Sequence, residues 1–65
     1  MDERTKFRVK TKDASGYTGL SEQYLRLLRT KKQSGGPAYY KIGKAVVYDT
    51  RDLDRWLESH RVNNQ

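Results

Sequence analysis

The chain contains no cysteine. Neither a disulfide framework nor a thiolate metal site is therefore open to it. Its one histidine has no second imidazole with which to share a metal ion. No apolar run approaches the ~20 residues of a membrane span, and no signal-peptide core is present. Tryptophan, phenylalanine and proline each occur once. Acidic residues are also scarce, with eight against fourteen Lys and Arg, for a net charge of +6. The length of 65 residues allows one small domain. Such a domain buries only about 60 % of the surface its unfolded chain exposes. What remains to build a core is Trp56, five tyrosines, Phe7 and a modest stock of Leu, Val and Ile. Charged residues make up 34 % of the chain, a level that approaches disorder. The aromatics, however, are too many and too regularly placed for a solvated coil.

The positive charge is concentrated toward the front of the chain. Residues 1–48 hold eleven basic and four acidic side chains, and residues 49–65 hold three basic and four acidic. A basic front and a faintly acidic rear point to an oriented face for a polyanion, beyond what solubility requires.

The organisation follows from local signals. Met1 to Thr5 read as a frayed terminus, and Arg61 to Gln65 as a polar tail. Between Arg4 and Lys12 cations fall at every second position, with Phe7 and Val9 on the opposite phase. This alternation predicts an edge strand or an extended basic arm, with Phe7 and Val9 against the core. A short helix opens at Lys10 or Thr11 and runs to about Thr18, with Asp13 in its first turn. Gly19 stops it. Ser21 caps a second helix from Glu22 to about Lys32. Its buried stripe is expected to be Tyr24, Leu25 and Leu28, joined by Leu20. Glu22, Gln23, Arg26, Arg29 and Thr30 are expected on its outer face.

Ser34-Gly35-Gly36-Pro37 is the strongest break. Tyr40-Lys41-Ile42 and Val46-Val47-Tyr48 then predict a hairpin with a two- or three-residue turn. The three-residue turn Gly43-Lys44-Ala45 is favoured, because it gathers Tyr40, Ile42, Val46 and Tyr48 on one face. Asp49 or Thr50 caps a third helix, Arg51 to about His60, with Leu53, Trp56, Leu57 and His60 as its stripe. Two helices joined by a tight Gly-Leu-Ser turn form a helix-turn-helix pattern. The hairpin that follows reads as a wing. The expected fold is thus α+β, with three short helices and a β-hairpin wing between the second and third. Its expected division is a basic arm or edge strand over 1–8, the domain over 9–61 and a tail over 62–65.

From Val9 to Leu57 the chain resembles the small winged helix-turn-helix proteins of the excisionase and AlpA type, within the MerR superfamily. The matching residues are Asp13-Ala14-Ser15, Gly19-Leu20-Ser21, Tyr24-Leu25, Gly36-Pro37, Tyr40-Lys41-Ile42-Gly43, Val46-Val47-Tyr48, and Asp52-Leu53 with Trp56-Leu57. The chain departs from that pattern at Val47, where an outward arginine is frequent, and at Gly16 and Tyr17 in the first helix. The resemblance implies sequence-specific binding of double-stranded DNA. The role would be that of a phage or mobile-element excisionase (a recombination directionality factor) or a small transcription regulator. A domain this small contacts few base pairs, so cooperative binding to repeated sites is expected; the resemblance implies an integrase-type recombinase or RNA polymerase as protein partner. The expected location is the cytoplasm of a bacterial or phage-infected cell, on the nucleoid.

The residues expected to meet DNA are Ser21, Gln23, Arg26, Arg29, Lys31, Lys32, Lys41 and Lys44. Gln pairs with adenine and Arg with guanine in the major groove. The lysines and Arg29 suit phosphates, and Ser21 doubles as a cap. Trp56 is expected in the core. Asp49, Asp52, Asp54 and Glu58 read as solvent-side acids at the start and along the third helix. No nucleophile–base set, phosphate loop or metal spacing is visible. No enzymatic activity, cofactor, metal, membrane or small-molecule substrate is expected. The alternative is a protein-interaction module such as an anti-repressor or small adaptor, for which Leu27 on the outer side of the second helix is the main support.

Overall fold

The computed structural model describes residues 6–30 and 35–63. Among these the order is β1 (Arg8–Lys10), α1 (Thr11–Thr18), α2 (Glu22–Thr30), β2 (Tyr40–Ile42), β3 (Ala45–Asp49) and α3 (Thr50–Ser59). The fold is small α+β, with three helices and a three-stranded antiparallel sheet in the order β1-β3-β2.

Local chemistry sets the helix ends. Gly19 takes φ +80° and its N–H bonds the Ser15 carbonyl at 2.9 Å, closing α1 in the left-handed conformation that glycine adopts without strain. The Thr18 hydroxyl accepts from the Leu20 N–H at 3.2 Å, which fixes the turn into α2. Ser21 Oγ accepts from the Tyr24 N–H at 3.0 Å, the bond expected of an N-cap. At α3 the Asp49 carboxylate accepts from the Arg51 N–H at 2.8 Å.

β3 is the central strand. Val9 pairs with Tyr48 on one side, and Tyr40 pairs with Val47 on the other. The cationic alternation at the front ends at Lys10, because Lys12 already belongs to α1. Fully buried Ala14, Leu25, Tyr48 and Leu53 form the core, with Val9, Leu20 and Val46 packed on it. Each large side chain among them stabilises the fold by about 1.5–3 kcal/mol. Ala14 lies where α1 meets α2, α3 and the sheet, and its single methyl lets these elements close up.

Several expectations are corrected. The hairpin turns through two residues, not three: Ile42 faces Ala45. Gly43 takes φ +61° and Lys44 keeps a negative φ, the combination a type II′ turn uses. Each strand of the hairpin therefore shows faces other than those expected. Tyr40 and Ile42 now share a face with Ala45 and Val47. Tyr40 is 44 % exposed and Ile42 70 %. Tyr24 is not in the buried stripe, since only Leu25 and Leu28 of α2 are buried. Trp56 is half-buried, its indole Nε1 donating to the Gly35 carbonyl at 2.6 Å; the large aromatic at the centre is Tyr48. Phe7 lies against the Arg51 guanidinium, 4.4 Å from its ring centre, and is not part of the core cluster. His60 is exposed, its ring tilted at 52° against that of Trp56 with the ring centres 4.7 Å apart. Asp49 is buried, not on the solvent side. The expected run of α2 beyond Thr30 to Lys32, and the terminus Met1 to Thr5 that was expected to fray, lie outside the described residues. So do Asn64 and Gln65 of the expected tail.

Candidate nucleic-acid interface

The outward face of α2 follows from its packing. Leu25 and Leu28 are held in the interior, so Gln23, Arg26 and Leu27 project on the opposite side, and all three are exposed. Arg26 reaches back one turn to Glu22, with 3.3 Å between Nη2 and Oε1. Such an i, i+4 surface pair contributes only about 0.3–0.5 kcal/mol, so a stronger anion can readily take the guanidinium. Ser21 spends its side-chain acceptor on the Tyr24 N–H. Its place at the start of a helix whose N–H groups point outward still suits an anion.

Arg29 was expected on the outer face and is instead half-buried. Its Nη1 donates to the Tyr48 hydroxyl at 2.7 Å and to Thr11 Oγ1 at 3.3 Å. The guanidinium also lies 5.9 Å from the ring centres of both Tyr39 and Tyr48. It is thus locked in place, ties the end of α2 to the central strand, and forms part of a groove wall. That groove, about 420 Å³, runs between the end of α2 and the hairpin. Lys41, Lys44, Thr30 and Tyr39 complete most of its lining, and among the described residues no acid takes part.

The two-residue turn is what brings Lys41 here. Lys41 pairs with Val46 and so shares the face of Val46 and Tyr48, on the side of α2. Lys44 stands at the hairpin tip, exposed. Three cations line one trough, and one of them, Arg29, is held by hydrogen bonds to Tyr48 and Thr11; such a concentration of positive charge attracts anions. Lys31 and Lys32 lie outside the described residues. Tyr39, a groove wall that the sequence reading did not single out, sits between Pro37 and the first strand of the hairpin. No periodic signal marks it, because it precedes the regular alternation.

The acids behave differently. Asp52 pairs with Arg55 at 3.1 Å and Glu58 with Arg61 at 3.5 Å. Asp54 accepts from the Tyr17 hydroxyl at 2.8 and 2.9 Å, joining α1 to α3. That hydrogen bond, with help from burial and the nearby negative charge, raises the Tyr17 pKa. Asp49 takes a two-point bond from Arg51, 3.0 Å from Nε and 2.7 Å from Nη2. These bonds hold its pKa down to about 2 against the opposing cost of burial, and Arg8 adds a smaller electrostatic pull. The same pairing raises Arg51. Among the described residues, no group of three His, Asp or Glu side chains could hold a metal ion. No helix among them is long and apolar enough to cross a membrane.

No protein-family model matches the chain, and no curated protein matches it.

Proposed function

We propose that this chain is a sequence-specific double-stranded DNA-binding protein of the winged helix-turn-helix kind. In this reading α2 enters the major groove with Gln23 and Arg26 toward the base edges. The β2–β3 hairpin acts as the wing, with Lys44 on adjacent backbone or minor groove. The observation that carries the reading is the groove between α2 and the hairpin, where Arg29, Lys41 and Lys44 converge with no acid among the described residues that line it. Two cationic elements at the two rims of one trough match a phosphate track between a groove-reading helix and its flank.

The resemblance to excisionase- and AlpA-type proteins supports a role on phage or mobile-element DNA. That role is as a directionality factor beside a recombinase, or as a regulator acting with RNA polymerase. One such domain covers few base pairs, so cooperative occupation of repeated sites belongs to the proposal. Catalysis does not. A titration of the full chain against duplex DNA at several salt concentrations tests it. About four to six neutralised phosphates give a log–log slope of roughly −4 to −5. A flat salt response, or no duplex binding at low salt, rejects the proposal. That result would favour the second reading, a protein-interaction module, for which the exposure of Tyr24 and Leu27 on α2 speaks.

A further inference from the structure

Tyr24 and Leu27 need an explanation. Each is 45 % exposed, although both lie in the middle of a nine-residue amphipathic helix. Together with Ser21 and Gln23 they line a shallow hollow of about 270 Å³ on the outer side of α2. Gln23 therefore stands beside two apolar walls. Its neighbour Arg26 is on the same outward face but engaged with Glu22.

We propose that this hollow reads thymine methyl groups, making Leu27 and Tyr24 specificity-determining residues for an A·T step. The inference rests on the DNA-binding reading above and adds to it the class of base pair recognised. In the major groove adenine offers N7 and N6–H₂, which a glutamine amide matches with two hydrogen bonds. Its partner thymine offers the C5-methyl, which makes an apolar contact. A glutamine beside an apolar hollow thus complements both features of A·T steps. A guanine–cytosine step presents the C4 amino group of cytosine and no methyl, so the apolar walls of the hollow lose their contact. The hollow itself is uncharged, and Arg26 on the same outward face of α2 supplies positive charge that a nucleic acid can use.

The test deletes the methyl from the DNA. Selection from a random duplex library with the full chain supplies the preferred duplex. That duplex is then made with uracil replacing thymine at one position at a time. Removing a buried methyl is expected to weaken binding about fourfold at one or two positions and to leave the others unchanged. Leu27→Ala should bind the thymine and uracil duplexes alike, and Tyr24→Ala should narrow the difference. Circular dichroism checks that both variants remain folded. The uracil series on the unmodified protein needs no variant and decides whether any thymine methyl is read; the Leu27→Ala and Tyr24→Ala duplex comparisons decide whether the hollow reads it. If the protein selects a duplex but uracil is neutral at every position, the hollow does not read methyls, and DNA binding stands without it. If Leu27→Ala keeps the full thymine preference, the assignment to Leu27 is wrong, and the hollow is left for a protein partner. If no duplex is selected and none binds at low salt, both the inference and the reading beneath it fall.

Discussion

The Arg29 guanidinium donates to the hydroxyl of Tyr48, the largest fully buried side chain, at 2.7 Å. One bond thereby connects the end of α2, the central strand and the cationic groove. Tyr48→Phe removes the acceptor and leaves the ring packing intact. A hydrogen bond to a charged group is worth about 1.5–3 kcal/mol. Tyr48→Phe should therefore lower the melting temperature by several degrees and weaken DNA binding, by loosening the Arg29 side of the groove. Arg26→Ala, which breaks only a surface pair, should leave stability within about 0.5 kcal/mol. Thermal melts of the two variants side by side check the contrast.

Stability should fall in acid through Asp49. Its carboxyl has a pKa of about 2 in the folded chain against 3.8 unperturbed. The folded state therefore favours the ionised form. The stabilisation is complete above about pH 5 and is lost as the pH drops through about 4 toward 2. Arg51 is half exposed, and water screens the pair, so the loss amounts to about 1–2 kcal/mol. Urea unfolding at pH 6 and at pH 2.5 measures it. Asp49→Asn keeps a capping side chain and should remove this part of the pH dependence.

Gly36→Ala should destabilise the fold by about 1–3 kcal/mol. An added Cβ would come within 2.9 Å of Leu28 Cβ. That atom is fixed to a buried helix position and cannot swing aside. Gly16→Ala is the control, since a methyl there meets open space and gains helix propensity. Denaturant midpoints of the two variants should move in opposite directions.

Arg26→Ala and Lys44→Ala should fail differently on DNA. Arg26→Ala is expected to cost about 1–3 kcal/mol on the preferred duplex and to flatten base preference. Lys44→Ala should weaken all duplexes about equally and reduce the salt slope by about one, and Lys41→Ala should do the same. Titrations on preferred and scrambled duplexes at several salt concentrations separate the two kinds of loss.

The helices were legible in the sequence because their ends are written in local chemistry. Gly19, Ser21 and Asp49 each act within a few residues of where they stand. The hairpin was legible as an element but not in register. Val46 and Val47 are both apolar, so alternation cannot choose between phases. The choice is made by Gly43, whose positive φ admits a two-residue turn. Tyr24 was misread because propensity and spacing say only that it can be buried. Coverage depends on a neighbouring layer, and α2 packs through a narrow Leu25–Leu28 seam. Of the candidate site, the outward residues Gln23 and Arg26 follow from the helical period. The place of Arg29 does not, because its partners Thr11 and Tyr48 are remote in sequence. The strand pattern Tyr40-Lys41-Ile42 puts Lys41 on the hairpin. Only the pairing with Val46 turns it toward α2.

The pairing of Val9 with Tyr48 carries a consequence for how the chain is made. A ribosome delivers β1, α1 and α2 before the strand that must lie beside β1 has been synthesised. Until Tyr48 and Leu53 emerge, Leu25 and Ala14 lack half of their core partners. Before that point the first two helices have only part of the core against which they pack in the finished fold. The sheet and the core are thus completed together, when β3 and α3 join β1, α1 and α2.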